Sequence, residues 1–129
     1  MRAVMKLALF LVALAACGSS SKSSTLSASQ CTALVTAGEI QVQDAVSLNL
    51  TCTKNSDCYS VVVSLSCSGG CPKRAAVNAG GTDAVKLAAS AAETKDCTPF
   101  VAGDCSTGAK VECPAIAIAP SCELGSCQI

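Results

Sequence analysis

Cysteine constrains this sequence more than any other residue: there are eleven in 129 positions, an odd number. Ten of them, Cys31, Cys52, Cys58, Cys67, Cys71, Cys97, Cys105, Cys113, Cys122 and Cys127, lie in the C-terminal hundred residues, and Cys17 stands apart near the start. Eleven thiols cannot close into pairs within one chain, so one needs a separate explanation. Cross-links at this density stand in for a large core, each contributing about 2–4 kcal/mol by restricting the unfolded chain. The composition requires such help. From Cys17 onward only 22 of 113 residues are Val, Ile, Leu or Phe, whereas 17 are Ala. The overall hydrophobic share of 50% is inflated by residues 1–16, of which fourteen are apolar.

Those first residues carry a second signal. Arg2 and Lys6 precede an uncharged apolar run, Leu7 to Ala16, which ends in small residues. A charged start, a short apolar stretch and a small-residue end are the three parts of an export signal. The run is too short to span a bilayer, which takes about 17–25 residues. Its end, Leu14-Ala15-Ala16-Cys17-Gly18, resembles the lipobox of bacterial lipoproteins: an aliphatic residue, two small residues and a cysteine. That resemblance implies that the Cys17 thiol receives a diacylglycerol, that Met1 to Ala16 are removed, and that the new N-terminus is acylated. Several acyl chains on one residue meet the requirement of more than one chain for stable anchoring. Gly18 is not the Asp associated with inner-membrane retention in enteric systems, so the expected location is the outer membrane of the cell envelope. Parity agrees independently, because setting Cys17 aside leaves ten cysteines and five bridges.

The organisation that follows is a signal peptide over 1–16, a lipidated cysteine and linker over 17–29, and a globular domain over 30–129. The tract from Gly18 to Ser29 holds seven serines and reads as a flexible tether, with an r.m.s. reach on the order of 20 Å. Leu34, Val35, Gly38, Val42, Ala45 and Val46 recur at helical spacing and predict a helix over 30–48, capped by Ser29. Tyr59, Val61, Val63 and Leu65 alternate with Ser60, Val62, Ser64 and Ser66, the period of a strand. Gly80-Gly81 reads as a breaker, after which Thr82 or Asp83 caps an Ala-rich helix to about Lys95. Residues 110–119 read as a buried strand, with Pro114 placing it at an edge. Leu124-Gly125 reads as the turn of a terminal hairpin. The sum is a small disulfide-rich α+β domain, two helices on an antiparallel sheet of about three strands.

The cysteine spacings narrow the chemistry. No Cys-x2-Cys occurs and histidine is absent, so neither a zinc knuckle nor a thioredoxin-type motif is present. Exported thiols meet an oxidising environment, where they pair. Ten cysteines allow about 945 pairings, continuing the series of 3, 15 and 105, and spacing does not choose among them. A local Cys122–Cys127 bridge across the hairpin is one option. The stretch Cys52-Thr-Lys-Asn-Ser-Asp-Cys58 with the Gly-Gly-Cys71 loop, and the ending Pro120-Ser-Cys-Glu-Leu-Gly-Ser-Cys127, are similar to small Cys-rich lipoproteins of Gram-negative soil bacteria. The resemblance implies a disulfide framework and brings no activity with it.

Other chemistries find little support. Without histidine there is no His-assisted Ser or Cys nucleophile. The carboxylates are scattered along the chain, and Phe10, Tyr59 and Phe100 are its only aromatics, which leaves no platform for sugars or bases. Nine basic and nine acidic residues cancel, so no nucleic-acid footprint exists. Asn55-Ser56-Asp57 reads as a turn rather than a calcium loop, since the alternating acidic run is missing. The sequence therefore predicts a non-enzymatic envelope lipoprotein, with no catalytic residue, metal or cofactor. Its expected partners are the membrane, through lipid on Cys17, and an unidentified envelope or extracellular molecule. The alternative is a small protease inhibitor presenting the 113–122 loop, Pro114-Ala-Ile-Ala-Ile-Ala-Pro120, to an active site.

Overall fold

The structure is a computed structural model that describes residues 24–115 and 117–129. The expected signal peptide, Cys17 and the first part of the tether lie outside the described residues.

Helix α1 runs over Ala28–Ser47. The Ser27 hydroxyl accepts from the Gln30 amide at 3.3 Å, and the Gln30 side chain accepts from the Ser27 amide at 2.9 Å. This reciprocal box satisfies two otherwise orphaned donors and starts the helix two residues before the expected position. Its inner stripe is the one the spacing predicted, with Gly38, Val42 and Val46 buried. Strand β1 (Cys58–Val63) pairs antiparallel with β2 (Lys73–Asn78), from Cys58 opposite Asn78 to Val63 opposite Lys73. Helix α2 (Ala79–Ala92) continues through a π-helical turn, Glu93–Cys97, into the short α3, Thr98–Ala102. A terminal hairpin of β3 (Ser121–Glu123) and β4 (Ser126–Gln128) closes the chain.

The β1–β2 hairpin is the middle layer. Its two faces follow from strand alternation. Val61 and Val77 face the helices and join Val42, Val46, Leu65, Val85, Ala92 and Phe100 in the main core. Cys58 and Ala76 face the other way, into a second small core with Cys52 and Cys127 from beneath the terminal hairpin. An Ala-rich chain fills this space through close approach. A Cβ on Gly38 would lie 3.6 Å from those of Ala92 and Asp96. One on Gly81 would lie 2.8 Å from the Cβ of Val77 and 2.5 Å from that of Asn49.

The fold class is as the sequence predicts, a small disulfide-rich α+β domain with two main helices. The strands are distributed differently, as two separate two-stranded sheets rather than one of three. Strand β2, Lys-Arg-Ala-Ala-Val-Asn, has no apolar residue at its charged start and went unread. Gly80-Gly81 does not break the chain, because Asn78 caps α2 by accepting from the Gly81 amide at 3.0 Å. The glycines sit in the first turn, where Gly81 permits contact with Asn49 and Val77. Among the described residues, 110–115 and 117–119 form no strand, and Pro114 removes a ladder donor there. Their expected burial is also overturned, since Val111 is 60% and Ile118 49% exposed.

Candidate functional site

All ten cysteines of the described residues pair. Cys31–Cys105 ties the first turn of α1 to the segment after α3. Cys67–Cys97 ties the loop after β1 to the π-helical turn, and Cys71–Cys113 ties the same loop to the long C-terminal segment. Cys52–Cys122 staples the terminal hairpin to the segment between α1 and β1, and Cys58–Cys127 staples it to the start of β1. The local Cys122–Cys127 bridge does not form, although the two residues face each other across the hairpin. Each turns inward to its own partner instead, so the bridges join distant parts of the chain.

The Sγ atoms of Cys52, Cys58 and Cys122 lie within 4.8 Å of one another. That spacing suits a metal, but metals take thiolates and every one of these sulfurs is in a disulfide. The cluster is two staples side by side.

A groove of about 350 Å³ opens between α1 and the distal end of the β1–β2 hairpin. Val42, Val46, Val63 and Leu65 form its apolar floor, and Glu39 and Lys73 stand at its rim. Ser68 Oγ donates to Glu39 Oε1 at 2.7 Å, and Lys73 Nζ donates to the same oxygen at 2.9 Å. These two donors, Lys73 first, hold the Glu39 carboxyl below its ordinary value. Both donors converge on one oxygen, Oε1 of Glu39. The trio closes α1 onto the loop between β1 and β2. Sequence reasoning missed it because its members are 29 and 34 positions apart and only the unread β2 brings Lys73 to α1.

A similar polar lock holds the Asn55–Asp57 turn. Asp57 Oδ2 accepts from the Thr53 amide at 2.9 Å, its hydroxyl at 2.8 Å and the Lys54 amide at 3.1 Å. These bonds, the Thr53 amide foremost, lower the Asp57 pKa. Asn55 Oδ1 accepts from the Cys122 amide at 2.9 Å, which fastens the turn to β3. The turn reading fits these bonds, which tie Asp57 Oδ2 back to Thr53 and Lys54 across the turn. Behind Gly38, Asp96 is buried, and its Oδ2 has no hydrogen-bond partner among the described residues.

Two exposed features complete the surface. Residues 106–115 and 117–120 have no regular structure. Cys71–Cys113 pins them part-way along, and they run on into β3 and Cys52–Cys122. At the tip of the terminal hairpin, Leu124 is fully exposed at φ 51° beside Gly125 at φ 80°.

No family model, curated protein or solved structure matches this chain. Five disulfides suit an oxidising location outside the cytoplasm. Among the described residues no helix is long and apolar enough to cross a membrane.

Proposed function

We propose that this chain is an exported lipoprotein, held by lipid on Cys17 at the outer membrane of a bacterial envelope. Its disulfide-stapled domain binds a partner there or serves a structural role, without catalysis and without nucleic acid. The observation that carries this reading is the completeness of the pairing. Five bridges use all ten cysteines from Cys31 onward, so none of them is left as a partner for Cys17. A thiol set apart at the end of a lipobox-like sequence then has lipidation as its role. The surface supports a binding or structural role over an enzymatic one, because the carboxylates of Glu39 and Asp57 are committed to neighbouring donors. Growing a producing bacterium on an alkyne-tagged fatty acid tests the anchor. The tag is expected on the wild-type chain and absent from Cys17→Ser; an untagged wild type, or a tagged variant, contradicts it.

A second reading is favoured by one specific finding. Pro114, Ala115, Ala117, Ile118 and Ala119 are exposed rather than buried, and disulfides at Cys113 and Cys122 fix the chain on both sides of them. That is how a small protease inhibitor presents a strand to an active-site cleft. Screening against serine proteases discriminates the two. Inhibition that is lost in a folded Ile118→Asp variant supports the inhibitor, and no inhibition across the panel removes it.

A further inference from the structure

The two edges of the β1–β2 hairpin differ in charge. β2 begins with Lys73 and Arg74, whereas no charged residue lies between Asp57 and Lys73, a stretch that contains all of β1. Antiparallel pairing with one neighbour satisfies only half of a strand's backbone groups. Among the described residues, no hydrogen bond other than those to β2 reaches the backbone of Tyr59–Val63. The side chains there are also open, with Tyr59 48% and Val62 52% exposed. Strands that stay unpaired at an edge are ordinarily protected by a charge, a proline or a bulge. β1 has none of these, and its register with β2 runs unbroken over all six residues.

We propose that the free edge of β1 is a self-association surface, at which a second copy of this chain adds its own β1 antiparallel. The strand itself identifies the occupant. Pairing two copies about Val61 sets Val61 against Val61 and Tyr59 against Val63 of the other copy, an aromatic–β-branched pair of the kind that stabilises sheets. An edge bearing charge would meet its own charge in such a pairing; this one meets none. The result is a continuous four-stranded sheet, β2–β1–β1–β2, with helices on one face of each half. A contact one six-residue strand long falls short of the roughly 1,200 Å² of a stable complex, so the association is weak and follows concentration. It depends on the edge and not on the anchor, and it holds under either reading of the function.

The test uses the oxidised full chain in a nonionic detergent, with micelles in excess. Sedimentation over a wide concentration range is expected to show monomers passing to dimers. Hydrogen exchange is expected to slow at the amides of residues 59–63 as the dimer forms. Val62→Lys adds a charge at an exposed position and should weaken dimerisation by about tenfold or more, while Val62→Thr should leave it unchanged. Ser60→Lys, also exposed, provides the same comparison if the first variant misfolds. A monomer at every concentration overturns the proposal. So does a dimer whose protection falls elsewhere, such as residues 114–119, or one indifferent to both lysines.

Discussion

Leu124 occupies a conformation that costs an L-residue roughly 1–2 kcal/mol, and its fully exposed side chain makes no contact that would offset the cost. Two successive positive φ values are the signature of a type I′ turn, for which Asn-Gly is the preferred pair. Leu124→Asn should therefore stabilise the oxidised domain by about 0.5–1 kcal/mol in chemical denaturation. Gly81 presents the opposite case. An added Cβ would meet the Cβ atoms of Asn49 and Val77 at 2.5 and 2.8 Å, and neither is the tip of a flexible chain. Gly81→Ala should cost about 1–3 kcal/mol, the range for overpacking a filled site. Glu39 sets a pH dependence. Its folded pKa lies below the unfolded value of 4.5, so the Lys73 and Ser68 bonds contribute stability above pH 4.5. That contribution is lost as pH falls from there through the lowered folded value. Thermal unfolding of Glu39→Gln should show a shallower loss over the same acid range than the wild type, and an identical slope would mean that the trio contributes nothing.

The elements divide into those whose own sequence specifies them and those specified by distant partners. α1 was legible because a three-to-four spacing from Leu34 to Val46 has one interpretation, and its cap moved by only two residues because Ser27 and Ser29 are both capable caps. The β1 strand and the Leu124-Gly125 turn were legible for the same local reason, although the strand ends at Val63 rather than running on through Leu65. β2 was not, since Lys73 and Arg74 belong to a strand only once β1 supplies the register. Residues 110–119 misled in the other direction: their β-branched residues have the composition of a strand, but the described ones among them pair with none. The candidate site divides likewise. The ten cysteines were visible and their partners were not, because each bridge spans between 30 and 74 positions. Long-range bridges of this kind close large loops, and removing Cys31–Cys105 as a Cys31→Ser, Cys105→Ser pair should cost about 4 kcal/mol. A loss near zero would show that α1 is held by its packing alone.

At the scale of the molecule, a thin core, two polar locks and five staples make a domain whose distant segments are joined by disulfides. The apolar residues that remain are spread over two small cores on opposite faces of one hairpin, and the bridges between distant segments keep both closed. The same cysteine count carries the proposed anchor, since it divides into ten that pair and one that stands at the lipobox-like sequence. The most direct test is the mass of the unreduced protein extracted from membranes, before and after alkylation under denaturing conditions. A chain beginning at Cys17, heavier by its acyl groups, lighter by the ten hydrogens lost in five bridges and unchanged by the alkylating agent, is the predicted result. A chain that begins elsewhere, carries no lipid mass, or takes up alkylating agent at Cys17 contradicts the account.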